Sequence, residues 1–317
     1  MGKTIRGHNQ FKDTILINSK TYIDYLERFK EVALSIFEWS GLPDSMSERF
    51  LEESLYYTGQ ASILYTKEYG LINLNCAPSD SLNIYRVPIS VRCWSLGFNV
   101  QRKTYMGYDK LTAKDKEKYA VMVRNTNQCV ATACTMELFA QRLCEAQRTI
   151  DVNVKNQKHP FLLLTSKDQE LSIRNLLAKI DDNDWAVIGD KDLLTTEQLK
   201  CINVQAPYVV DKLTTYKKEI INEALTRLGI NNIDYKKERM ITSETDSNNE
   251  LINLHLQAFL IPRQKACEEC NKLFGTNIEV KVRSDLHNII KEFKNSFGIE
   301  SEELIERVKE GKGVANE

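Results

Sequence analysis

From about Ser19 the apolar residues Tyr22, Leu26, Phe29, Ala33, Ile36 and Phe37 recur at three- and four-residue steps. That spacing predicts one apolar face of a long helix, stopped by Gly41 and Pro43. Ser45 or Ser47 is placed to cap a second, shorter helix through Glu48, Leu51 and Leu55, with Gly59 beyond its end. Over residues 60–108 the period falls towards two. Segments 61–65, 70–75, 84–91 and 98–104 read as short strands of a small antiparallel sheet or barrel, punctuated by Pro78, Asp80 and Pro88. Residues 110–119 form a charged excursion, and 120–123 return to the sheet.

Thr135 is the expected cap of another long helix, with Glu137 favourable in its first turn. Its stripe runs Phe139, Leu143, Ala146, Ile150 and Val154, and it ends before Pro160. A compact α/β piece follows, with 161–165 as a strand, 170–180 as a helix and 185–188 as a strand. Pro207 suits the first turn of a helix, where its missing N–H costs nothing. That helix carries Val209, Leu213, Tyr216, Ile220, Ala224 and Leu228 on one face and closes at Gly229. Residues 231–250 hold only Ile233, Tyr235, Met240 and Ile241 as large apolar groups, so they read as a long polar loop. Residues 251–274 are helical in pattern, with Pro262 expected to kink the helix or start a new one. A strand at 278–282 and short helices at 285–297 and 302–308 complete the chain. Its first dozen residues hold Lys3, Arg6 and Lys12 with no acid before Asp13. They predict a mobile basic arm.

The length of 317 residues predicts two packed units, at about 100–200 residues per domain. Only 13 glycines and 6 prolines are present, which disfavours a turn-rich all-β protein. The longest apolar run, 119–123, falls far short of the about 20 residues a membrane helix needs. With no apolar stretch after a basic start, a soluble protein made inside the cell is expected. Lys plus Arg number 43 against 44 acids, a net charge of −1. A protein gripping nucleic acid over its whole surface would show a basic excess. Contact with phosphate must therefore be local, weak or transient. The eight cysteines are dilute and irregular, and read as reduced, packed thiols.

Candidate chemistry is thin. Gly2-Lys3-Thr4 echoes the end of a P-loop without its strand or upstream glycine, and Gly311-Lys312-Gly313 is a lone fragment. Cys267 and Cys270 have zinc-like spacing with His287 downstream, but lie in a helical pattern without a second pair. Buried thiols are the expectation there, with no metal and no cofactor. Neither His8, His159, His255 nor His287 sits in a catalytic context, and no Gly-x-Ser-x-Gly elbow exists. The pairs Asp181–Asp182 and Glu302–Glu303 read as solvated surface. No enzyme is expected. Lys236, Lys237 and Arg239, followed by Glu244, Asp246 and Glu250, make the polar loop the one notable charge cluster. An ordinary solvated hairpin is the plain reading; in a ring, every such loop would project into one shared space.

The run Ala206-Pro207-Tyr208-Val209-Val210-Asp211-Lys212-Leu213, then Lys236-Lys237-Glu238-Arg239-Met240 before an acidic, Asn-rich stretch, resembles the upper collar proteins of small short-tailed podophages. Those are the head–tail connectors, or portal proteins, of phages with protein-primed DNA replication. Phe37-Glu38-Trp39 with Leu42-Pro43, Glu137-Leu138-Phe139-Ala140, and Ala266-Cys267-Glu268 with Leu273 and Gly275 fall in the same order. The similarity covers roughly residues 20–300.

The resemblance implies an α+β, mainly helical portal fold with long channel helices, a small SH3-like β-barrel, an α/β wing and a C-terminal helical crown. Laid on this chain, it implies an arm at 1–18, wing or outer helices at 19–59 and the SH3-like domain at 60–125. A long helix with the wing at 126–206, channel helices at 207–276 with a loop at 231–250, and a crown at 277–317 follow. It also implies a homo-dodecameric ring at one capsid vertex, holding double-stranded DNA non-specifically in its bore. The implied partners are the major capsid protein, the packaging ATPase with or without a packaging RNA, and a lower collar or tail protein, with no membrane. The implied location is the virion, with the host cytoplasm during assembly. Lys212, Lys236, Lys237 and Arg239 are the implied channel residues, and Tyr216 and Ile220 are expected at the subunit interface. Asn203 stands where the family pattern has a channel lysine, and Pro262 interrupts a helix expected to run through. The alternative is an intracellular helical scaffold or adaptor that threads no DNA.

Overall fold

The computed structural model describes residues 6–107, 113–158, 161–164, 200–203, 207–230 and 242–297. The chain divides into two compact units, residues 1–141 with 220–317, and residues 142–219. The fold is mixed α and β, with a small five-stranded barrel.

The larger unit starts on helix α1, Arg6–Leu34. The basic arm expected over 1–18 is thus helical from Arg6. Tyr25, Phe29, Val32 and Ala33 are buried along its inner face. The helix stops at Leu34, short of the expected end, because the period changes to two: Phe37 and Trp39 point inward and Glu38 and Ser40 outward. These residues are strand β1, Phe37–Ser40. Its antiparallel partner arrives from the far end of the chain, Glu279–Val282, with Phe37 opposite Val282.

Helix α2, Glu48–Thr58, is capped as expected: the Ser47 hydroxyl accepts from the Phe50 N–H at 3.3 Å. Asn73 clamps this start by accepting from the Ser47 N–H and donating to the Ser47 carbonyl. At the other end Gly59 has φ +77°, and a Cβ there would lie 2.1 Å from the Cys129 carbonyl oxygen. Only glycine fits both demands.

The barrel follows from strands β2 (Gln60–Thr66), β3 (Gly70–Pro78), β4 (Ser90–Ser95), β5 (Phe98–Thr104) and β6 (Tyr119–Arg124). They close in sequence order, with β6 antiparallel to β2 and parallel to β5. Leu64, Leu74, Cys76, Val91, Cys93, Ala120 and Met122 fill the interior. The strand expected at 84–91 is displaced to 90–95. The Asn83 side chain takes the Tyr85 and Val87 N–H groups that a ladder would need, and Pro88 has none to give. Residues 84–89 are therefore a braced loop, with Arg86 at φ 59°.

Helix α3, Ala133–Lys158, begins two residues before the expected cap, and the Thr132 carbonyl accepts from the Met136 N–H. Its stripe holds at Phe139, Leu143 and Ala146 and fades at Val154, which is 45% exposed. In the smaller unit, β7 (Phe161–Leu164) pairs antiparallel with β8 (Lys200–Asn203), which the sequence patterns did not reveal. The helix expected at 170–180 and the strand at 185–188 lie outside the described residues. Pro207 precedes rather than opens helix α4, Val210–Arg227. The buried Asn153 side chain donates to the Pro207 carbonyl at 2.9 Å and accepts from the Val209 N–H, so α3 sets the entry of α4.

The C-terminal half of α4 belongs to the larger unit, where Ile220, Ile221, Ala224, Leu225 and Leu228 are fully or nearly fully buried. It closes at Gly229 as expected: a Cβ there would sit 2.5 Å from the backbone nitrogen of Leu256. That residue lies on helix α5, Thr242–Phe274. One expectation changes here, and one of two alternatives is removed. Residues 242–250, read as loop, are helical, because the helix can start on polar residues before its apolar stripe begins. Of the two alternatives at Pro262, a kink or a new helix, no new helix starts there: Pro262 lies inside one helix. The side chain of the next residue adds a contact to this turn: Arg263 Nη1 donates to the Phe259 carbonyl at 2.9 Å. Strand β9, Glu279–Val282, and helix α6, Leu286–Ser296, follow, close to the expected ranges. Phe293 and Phe297 close on Phe29, at centroid distances of 5.8 and 6.3 Å. The helix expected at 302–308 lies outside the described residues.

Candidate functional site

The segment joining α4 to α5 is where the sequence concentrates Lys236, Lys237 and Arg239. All three lie outside the described residues, as do Gly2-Lys3-Thr4, His159, Asp181–Asp182, Glu302–Glu303 and Gly311-Lys312-Gly313. What the structure does describe is the mounting of that segment. Ile230 donates its N–H to the Leu225 carbonyl and Gly229 packs on the α5 backbone at Leu256. The two flanking helices are therefore held backbone to backbone at the point where the chain leaves α4.

Lys212 is exposed in the first turn of α4, beside the exposed Asp211. Further along the helix Thr214, Thr215, Tyr216, Lys218 and Glu219 are also exposed. The Thr214 and Thr215 hydroxyls are spent on the carbonyls of Val210 and Asp211, so they offer little to a ligand. Lys217 donates to Gln147. Among the described residues Lys212 and Lys218 make no ion pair; Lys212 shares its helix face with Glu219 and Lys218 shares its own with Asp211, so each cation is offset by one acid. Such a surface attracts a polyanion only weakly, and salt screens it over a Debye length of about 8–10 Å.

The two expected interface residues part company. Tyr216 is 41% exposed, but Ile220 is fully buried within the chain. Ile220 has no surface left for a neighbour and belongs to the protomer's own core; the apolar stripe of α4 turns from surface to interior within one turn. Sequence spacing placed both on one face and could not tell which end the chain itself would cover. A second exposed stripe lies on α5, where Leu251, Leu254 and Ile261 are 45%, 66% and 52% exposed. The sequence marked residues 251–274 only as helical and did not single out these three positions.

Cys267 and Cys270 are buried on α5. Burial pushes the Cys267 thiol up to about 12, and Cys270 well above its ordinary value by the same cause. Among the described residues no three His, Cys, Asp or Glu side chains gather in a metal-binding group. His255 on α5 is lowered by burial and by Arg227, whose guanidinium lies 3.5 Å away.

Sequence reasoning missed the buried polar junction of the larger unit. Arg263 spends all its side-chain N–H groups: on both carboxylate oxygens of Glu52, on the Asn125 backbone and side-chain oxygens, and on Phe259. Trp39 Nε1 donates to the same Glu52 oxygen at 2.8 Å, and the guanidinium lies 4.4 Å over the Phe37 ring. An arginine directly after a mid-helix proline in an apolar run was the only signal available.

Among solved structures, a chain of one described as the portal and tail of native bacteriophage P68 is similar over 94% of this chain and 99% of that chain. The identity is 14% and the TM-score 0.46. A chain in the virion of a native gene transfer agent particle is similar over 95% and 89%, at 11% identity and TM-score 0.36. The assignment does not rest on these similarities. The family model described as Phage Connector (GP10) matches residues 7–287, nearly the whole described chain, and the protein therefore belongs to the phage connector family.

Proposed function

We propose that this chain is a phage portal: a head–tail connector that forms a dodecameric ring at one capsid vertex and conducts DNA during packaging and ejection. The observation that carries the reading is the connector-family match over residues 7–287. In this reading α4 and α5 face the bore, and the segment between them presents Lys236, Lys237 and Arg239 to the duplex. Lys212 adds a second sparse ring of charge. The net charge of −1 fits a conduit. A strongly basic bore would hold the duplex by releasing counterions at many phosphates, whereas sparse lysines in a near-neutral wall let it slide.

The ring would dock the major capsid protein, the packaging ATPase with or without a packaging RNA, and a lower collar or tail protein. Its role is structural and needs no catalytic group. Electron microscopy of the purified full-length chain tests the reading. Dodecameric rings with a central hole are expected. Monodisperse monomers or dimers without a hole would sink it and favour a helical scaffold.

A further inference from the structure

A cleft of about 260 Å³ lies in the larger unit between the barrel and α5. It is far larger than the roughly 30 Å³ share of one water. Its apolar wall includes Tyr85, Met106 and Met122; its charged wall is Arg124, at the end of β6, with Lys265 and Glu269 of α5. Among the described residues the side chains of Arg124 and Lys265 enter no hydrogen bond or ion pair. Thr104, also in the wall, is 5% exposed, and its hydroxyl has no partner. A buried hydroxyl without a partner is unusual in a folded chain, and the half-buried Arg124 guanidinium in the same wall has no protein hydrogen-bond partner among the described residues.

We propose that this cleft is a docking socket for a partner protein, taking an acidic peptide segment whose carboxylate meets Arg124 and Lys265 while an adjoining apolar side chain packs on Met106 and Met122. Arginine forms paired, charge-assisted hydrogen bonds with carboxylates. Methionine side chains adapt to apolar ligands of varied shape. Tyr, Met and Arg are also the residues enriched where proteins bind one another. The rim favours a chain over a small anion. Ile84 and Tyr85, 88% and 76% exposed on the loop braced by Asn83, continue the apolar surface beyond the cleft. A free carboxylate or phosphate would leave that surface uncovered. Glu269 limits the charge of the occupant: burial raises its carboxyl while Lys265 and Arg124 pull it down. One incoming carboxylate, rather than several, balances the two cations.

The test uses the full-length chain, with its methionine methyls labelled for NMR, titrated with acetyl-Leu-Glu-Leu-amide. Shifts confined to Met106 and Met122 are expected, with affinity about tenfold weaker for the Gln analogue and for Arg124→Gln, the usual scale for losing a charged hydrogen bond. Lys265→Ala, a surface change, should weaken it less and keeps the test meaningful if Arg124→Gln disturbs the barrel. No shift at millimolar peptide, or equal shifts from the Gln analogue, would overturn the proposal. Identical shifts from acetate or inorganic phosphate at the same concentration would overturn it too, leaving a general anion site. The socket does not depend on ring formation, so failure here and failure of the portal reading are separately visible.

Discussion

Arg263 on α5 and Glu52 on α2, far apart in sequence, meet in a two-point ion pair: Nε to Oε1 at 3.0 Å and Nη2 to Oε2 at 2.8 Å. Their side chains are 3% and 5% exposed. Around them Asn125, Phe259 and Trp39 satisfy the remaining atoms. The helix carrying Pro262 is thereby tied to the capped helix and to the strand that begins at Phe37. A charge pair this deep contributes little net stability compared with a packed apolar substitute, but removing one partner strands the other.

Glu52→Ala should lower unfolding free energy by about 3–5 kcal/mol, because Arg263 would remain buried and unpaired. Arg263→Met should cost less, since the flexible apolar side chain refills part of the space, although Glu52 keeps only the Trp39 bond. Chemical denaturation of both variants checks the order; equal losses would contradict it.

Assembly and folding should separate on one helix. Tyr216→Asp, at a half-exposed position, should leave the far-ultraviolet circular dichroism unchanged yet abolish rings in light scattering. Ile220→Asp should lose the fold itself, because it buries an unpaired carboxylate in the protomer's core. Normal rings from Tyr216→Asp would remove Tyr216 from the interface.

The segment bearing Lys236, Lys237 and Arg239 should act as a one-way restraint on packaged DNA. Deleting residues 236–241, and so sparing α5 from Thr242 onward, should leave rings and empty heads intact while packaged genomes slip back out. Each grip should be weak, with repetition around one duplex making the restraint collective. Replacing only Lys236 and Lys237 with Ala should do less harm if closure is mainly steric. Full genome retention by the deletion phage would end the idea.

Cys267 links stability to pH. Burial pushes its thiol up to about 12 in the folded chain, against about 8.5 for an unperturbed cysteine in the unfolded chain. The raised value means that stability from keeping it protonated is whole below the unfolded value and is lost as pH climbs towards the folded one. Unfolding midpoints should therefore fall between pH 9 and 12, and less so for Cys267→Ala. At pH 8, a thiol reagent should modify the exposed Cys134 well before Cys267 or Cys270.

Local chemistry was legible wherever a residue's role is settled by its near neighbours. Ser47 and Gly59 bound α2, Gly229 closes α4, and the barrel strands at 61–65, 70–75 and 98–104 stand almost where alternation put them. The connector resemblance, too, was carried by short ordered runs such as 206–213. What the tertiary structure alone decided was which apolar stripe gets covered and which distant segments pair. Ile220 is buried and Leu254 exposed although both sit in helical stripes. Phe37 extends the α1 pattern yet pairs with Val282 in a strand. Pro262 left a kinked helix or a new start as alternatives, and one helix contains it, with the Arg263 side chain donating to Phe259 and to Glu52. Periodicity reports only the faces a segment could bury; which of them is buried is set by contacts whose partners lie hundreds of residues away, where no local pattern reaches.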